Sequence, residues 1–154
     1  MYLSIKLIHI FSAVILYGTG LGSAFYLWMA YRKKEAVVFR NVVNWVVLAD
    51  AWFTTPAIVI QFLTGWYLLS QLGVAWNSLW FVQVAILSLW MLLCWLPVVW
   101  IQLRMRTIMQ DVKIIPKSVD SLMRAWFWLG VGAFMVGPFI FYLMVFKPGM
   151  GVLL

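Results

Sequence analysis

Four long apolar runs, each exceeding the roughly 18 residues that mark a membrane-spanning helix, follow one another with only short connections between them. They predict spans at about 3–31, 41–69, 79–103 and 118–147, within a single four-span domain over residues 1–154. Ser118 is the expected N-cap of the fourth span, with Asp120 in its favourable first turn, and Lys147-Pro148-Gly149 is its expected stop. The fold class that follows is all-α, a transmembrane four-helix bundle. Composition agrees: 66% of the residues are hydrophobic and 10% charged, against about 25% charged in a soluble domain.

Charge sets the expected orientation. The connection after the first span carries Arg32, Lys33, Lys34 and Arg40. The connection after the third, with the start of the fourth span, carries Arg104, Arg106, Lys113, Lys117 and Arg124. The loop over 70–78 carries no charge, so the positive-inside rule puts the basic connections in the cytoplasm and both termini on the outer, periplasmic side. The net charge of +7 is thereby a topology signal, and nucleic acid is not an expected partner. Lys6 followed by an apolar stretch and Gly20, Gly22, Ser23 and Ala24 imitates a signal peptide. Cleavage there would leave Arg32-Lys33-Lys34 outside, so the segment is read as a retained helix. The lone Cys94 allows no intrachain disulfide, and with one histidine it cannot build a four-ligand zinc site.

Polar residues inside spans are expensive and therefore the candidates for function. They are Lys6 and His9 in the first span, Asp50, Thr54, Thr55, Gln61 and Thr64 in the second, and Gln83 and Gln102 in the third. At 100° per residue His9 shares a face with Ser12, Ala13, Leu16, Gly20 and Ser23, a groove of mostly small side chains that would admit a flat macrocycle or a neighbouring helix. Gly18-xxx-Gly22 is a second seam of small residues. Lys6, one turn before His9, would either pair with an acidic ligand group such as a propionate or snorkel to the surface. In the second span Asp50, Thr54, Ala57, Gln61, Thr64 and Leu68 recur at steps of four and three and form one stripe, which must face protein or water. Asp50 lies roughly 13 Å deep, and Arg104, Arg124 or Arg40 is its expected partner. It reads as a proton relay, a substrate contact or a buried pair fixing register. Thr54-Thr55-Pro56 predicts a kink. His9, Thr64, Gln83 and Gln61 fall at similar outer depths and suggest a polar chamber there. Trp28, Trp45, Trp66, Trp76, Trp80 and Trp126 read as interfacial belts.

The opening 1–10, the segment Leu48-Ala49-Asp50-Ala51-Trp52-Phe53-Thr54-Thr55-Pro56-Ala57, the following Gln61-Phe62-Leu63-Thr64-Gly65, and residues 95–106 resemble a family of bacterial integral membrane proteins of unknown function. More distantly, Lys6, His9 and the ending Val145-Phe146-Lys147-Pro148 resemble the HemJ-type protoporphyrinogen oxidases, with the CopD-like copper proteins as related four-helix folds. The HemJ likeness implies haem b bound through His9, the one residue expected as a metal ligand. In that family a functional lysine stands early in the third span, where this chain has Gln83.

Three functional readings follow. The first is a haem-b protein of the bacterial inner membrane, an oxidoreductase or electron carrier acting on a small hydrophobic molecule such as a quinol or porphyrinogen. In it His9, Lys6, Ser12 and Gly20 hold the cofactor, and Asp50, Gln61 and Thr64 serve the chemistry. The second is a cofactor-free accessory subunit of a larger membrane complex. The third is a small homodimeric transporter using the Asp50, Gln61 and Thr64 stripe.

Overall fold

The computed structural model describes residues 1–148, and every regular element among them is helical. Helix α1 runs Tyr2–Lys33, α2 Ala36–Ala49, α3 Thr55–Leu72, α4 Leu79–Ile108 and α5 Lys117–Phe146. A five-residue π-helical turn, Asp50–Thr54, joins α2 to α3, so that they form one helix of 37 residues. The four helices are long and apolar enough to cross a membrane. Only 11 to 22% of the most apolar stretch of each is buried, so most of that surface has to meet lipid.

The helices are longer than the apolar runs predict. The second begins at Ala36 and the third ends at Ile108, because backbone bonding continues past the hydrocarbon into the interface, carrying Arg40, Arg104 and Arg106 on helical backbone. Lys34 ends α1 in the left-handed region at φ 59°, and Gly73 ends α3 at φ 60°. Ser78 caps α4 by accepting the Phe81 amide. The expected cap of the fourth helix is corrected: Pro116, extended at ψ 149°, is the N-cap, and the Ser118 carbonyl accepts the Ser121 hydroxyl from inside the helix. Proline before the first helical residue starts the helix without a side-chain cap. Asp120 is in the first turn as expected. The helix stops at Phe146 with Lys147 left-handed at φ 43°, and Gly149 of the expected stop lies outside the described residues.

Packing is tight at one end and loose at the other. The α1 helix lies along the α2–α3 helix, and α4 pairs with α5. These two hairpins meet at the basic end, where Leu27, Ala30, Phe39, Val43 and Val46 bury against Ile101, Met105, Met109, Val119, Met123 and Trp126. Polar ties surround that core. Arg40 donates from Nε to the Met109 carbonyl and from Nη2 to the Val112 carbonyl, both at 2.6 Å, so that a cation meets the C-cap carbonyl of α4 and one just beyond it. Tyr31 donates to the Asp120 carboxylate, and Lys34 lies 3.6 Å from the same group. The Tyr31 oxygen first, with Asp120 behind it, holds the exposed Lys34 ammonium above the ordinary lysine range.

Toward the uncharged end α3 has no extensive face on α4 or α5. Midway along α1 the hairpins are linked by Tyr17, which stacks on Phe134 at 4.3 Å and donates to the Phe134 carbonyl at 2.7 Å. One expectation is corrected. Trp80 and Trp126 are core residues, 4% and 5% exposed, and Trp80 donates to the Leu143 carbonyl. Among the described residues nothing packs into the Gly18-xxx-Gly22 seam, since a Cβ at Gly18, Gly20 or Gly22 would meet no atom within 4 Å.

Gly137 is different, because a Cβ there would strike the Tyr17 ring. Gly137→Ala is expected to lower stability in detergent by about 1–3 kcal/mol. Gly22→Ala should be neutral or stabilising by up to about 1 kcal/mol, the helix-propensity difference. Paired thermal unfolding curves check this, and equal shifts for the two variants would contradict the packing.

Candidate functional site

The second span carries the predicted stripe to an interior face. Asp50, Thr54, Ala57 and Thr64 are buried and Gln61 is half-buried. The expected kink is a π-helical turn: the Thr55 amide and the Thr55 hydroxyl both donate to the Asp50 carbonyl. Pro56 has no amide hydrogen to keep the regular ladder, and in the widened turn before it the Asp50 carbonyl takes both Thr55 donors.

Two polar clusters lie on this stripe, and buried Ala57, apolar and 3% exposed, stands between them. The first is built on His9 from α1 and on Gln61 and Thr64 from α3. The Nδ1 of His9 is 2.8 Å from Thr64 Oγ1, and its Nε2 is 2.9 Å from Gln61 Nε2. The Thr64 hydroxyl donates to the Ile60 carbonyl, so it accepts from His9. The Ser12 hydroxyl reaches Gln61 Oε1 at 2.5 Å and the His9 carbonyl at 2.8 Å. With the Gln61 amide oriented Oε1 toward Ser12 and the Thr64 hydroxyl on the Ile60 carbonyl, the protons follow. His9 Nδ1–H donates to Thr64, Gln61 Nε2–H donates to the lone pair on His9 Nε2, and Ser12 orients the Gln61 amide. Gly65 gives the ring its place, since a Cβ there would lie 3.3 Å from His9 Cε1.

The second cluster, toward the basic end, joins Asp50 and Thr54 to Gln102 of α4. The Thr54 hydroxyl donates to Asp50 Oδ1 at 2.7 Å, and the Gln102 side chain lies beside the same carboxyl. Gln102 is 2% exposed and its Oε1 has no partner within the described residues. The expected arginine partners are corrected. Arg40 is committed to the carbonyls beyond α4, and Arg104 and Arg124 are exposed without an ion pair to Asp50. Long basic side chains gain more by staying in water at the interface than by following a carboxyl into the bilayer.

The other candidates lie apart. Lys6 and Gln83 are exposed and outside both clusters, so the expected outer chamber forms from His9, Ser12, Gln61 and Thr64 without Gln83. Gly20 faces open space, and its carbonyl takes the Ser23 hydroxyl at 3.1 Å. The pairing of Asp50 with Gln102 escaped the sequence reading. Depth gave no signal, since the apolar run ending at 103 puts Gln102 at its edge, whereas α4 continues to Ile108. Among the described residues no group of three histidine, cysteine, aspartate or glutamate side chains converges, so a metal at the first cluster would take one such ligand, His9.

A family model described as "Predicted integral membrane protein (DUF2269)" matches residues 3–148. This bears out the likeness to a family of integral membrane proteins. No curated protein and no solved structure matches the chain, and nothing in these comparisons supports the likeness to HemJ-type or CopD-like proteins.

The separation of the clusters has a thermodynamic consequence. Gln61→Leu leaves His9 Nε2 without a partner and Ser12 with the His9 carbonyl alone, and is expected to cost about 1–3 kcal/mol. Combined with Asp50→Asn its effect should add to within about 0.5 kcal/mol. A larger coupling energy in the double-mutant cycle would mean that the two clusters act as one network.

Proposed function

The chain belongs to this family of predicted integral membrane proteins, and on that premise we propose that it binds haem b through His9 Nε2 and serves a redox or electron-transfer role toward a small hydrophobic molecule, a quinol or a porphyrinogen. One observation carries the reading: His9 Nδ1 lies 2.8 Å from Thr64 Oγ1, a hydroxyl that donates to the Ile60 carbonyl and is therefore placed to accept. That bond holds the imidazole in the tautomer whose lone pair is on Nε2, the arrangement in which an outer partner orients a ligating histidine. The fit to an iron ligand is good on one side of the ring and conditional on the other, because Gln61 donates to Nε2 and must give way. Ser12 would then keep the displaced amide beside the site, where its N–H can bond a substrate oxygen.

Haem iron supplies one-electron chemistry that no side chain here provides. In this reading Thr64 orients the ligand, Gln61 and Ser12 position a polar group of the substrate, and Asp50 handles protons or register from the separate inner cluster. Lys6 meets a propionate at the surface, and Gly20 keeps the α1 face shallow. The parting of α3 from α4 and α5 supports entry of a flat apolar molecule from the bilayer. The basic end lies in the cytoplasm of a bacterial inner membrane, with both termini outside. A second reading, a cofactor-free accessory subunit, draws on the open face of Gly18, Gly20 and Gly22, where another membrane helix can approach closely.

The protein purified in mild detergent after expression with ample haem should show a reduced b-type band at near one haem per chain. His9→Ala should lose it at normal protein level. Thr64→Val should weaken retention by roughly 10- to 100-fold, as loss of an orienting partner does. A colourless wild-type protein would move the assignment to the accessory subunit, and full pigment in His9→Ala would overturn His9 as the ligand.

A further inference from the structure

Where α2 approaches α4 at the basic end, the two helices leave a groove of about 270 Å³ lined by Asn44, Trp45, Val47, Leu48, Ala51 and Arg106. Its two ends differ in chemistry. Arg106 lies in the last turn of α4, and Asn44 lies nearer the basic end of α2 than the other α2 residues of the lining. Val47, Leu48 and Ala51 continue the groove toward the membrane centre, about 10 Å along the helix from Asn44. Trp45, 67% exposed, stands at its edge at a depth suited to an aromatic ring beside headgroups. The groove thus offers a cation and an amide at the interface and an apolar floor below them.

The surrounding charge favours an anion. The basic end carries nine of the chain's cations against Glu35, Asp111 and Asp120. Arg40 is occupied by two carbonyls, and the one ion pair among the described residues joins Lys34 to Asp120. Arg106 is exposed and takes part in none of these bonds. A bare phosphate would use the arginine and leave the apolar floor unused, whereas a helix, about 10 Å across with its side chains, is too wide for the space. An acyl chain under a phosphate matches both ends.

We propose that this groove is a binding site for one anionic phospholipid, its phosphate on Arg106 and Asn44 and an acyl chain over Val47, Leu48 and Ala51. Basic recesses between membrane helices bind such headgroups by a charge that zwitterionic lipids do not complement. The site is separate from the His9 cluster and stands whether or not haem binds.

Native mass spectrometry of the intact protein in mild detergent tests it, with phosphatidylglycerol and phosphatidylcholine of identical acyl chains. The wild type should retain phosphatidylglycerol roughly tenfold better. Arg106→Gln should abolish the preference, and Ala51→Trp should fill the floor and reduce binding of both lipids. Arg104→Gln, exposed and outside the groove, should behave as wild type. Equal retention of the two lipids by the wild type, or an unchanged preference in Arg106→Gln, overturns the proposal. An equal loss in Arg104→Gln would assign the preference to diffuse charge and overturn the site. Displacement of phosphatidylglycerol by millimolar inorganic phosphate, with Ala51→Trp unaffected, would assign the groove to a bare anion and overturn the lipid.

Discussion

A bilayer interior offers polar groups no solvent, so each one carried into it has to be met by another group of the protein. This chain carries few, and it gathers them on the seam between α1 and the second span and on the neighbouring face of α4. His9, Ser12, Gln61 and Thr64 satisfy one another, and Asp50, Thr54 and Gln102 form a second group one stretch closer to the basic end. Each such bond between membrane helices contributes only about 0.6 kcal/mol on average. Their larger effect is on register, since sliding α1 by one turn would leave an imidazole and an amide unpaired.

The remaining packing divides along the membrane normal. At the basic end a closed apolar core is ringed by Arg40 on two carbonyls and by the Tyr31, Lys34 and Asp120 group. Midway along α1 the hairpins are joined through Tyr17 against Phe134 and Gly137. The His9 cluster sits on the looser side of this division, where α3 lacks a partner face on α4 and α5. A rigid base with a more open opposite half is an arrangement in which a site can admit a membrane-soluble molecule without disturbing the core.

The π-helical turn illustrates how local sequence and packing combine. Pro56 removes one backbone donor, and just before it the Thr55 amide and hydroxyl both donate to the Asp50 carbonyl. An extra residue per turn would rotate the following stripe by about 100° were the helix regular on both sides. Asp50, Thr54, Ala57 and Thr64 are nevertheless all buried, so the seam follows the polar residues through the distortion. Ala57 interrupts them with an apolar contact, which argues against one unbroken polar path across the protein.

The sequence by itself determined the number of spans, because hydrocarbon thickness sets a length of apolar helix that can be counted. It also determined the interior face of the second span, because a stripe of Asp50, Thr54, Gln61 and Thr64 cannot face lipid. Asp120 in the first turn of α5 and the family likeness were legible for the same reason, being local in the chain. Tertiary structure alone decided the partners. That His9 meets Thr64 and Gln61 instead of Gln83, that Asp50 takes Gln102 instead of an arginine, and that Trp80 and Trp126 are core residues all depend on which helices pack together. Helical periodicity gives the direction of a side chain about its own axis and leaves open the rotation, tilt and neighbour of every other helix, and those were set by the joint burial of the basic-end core.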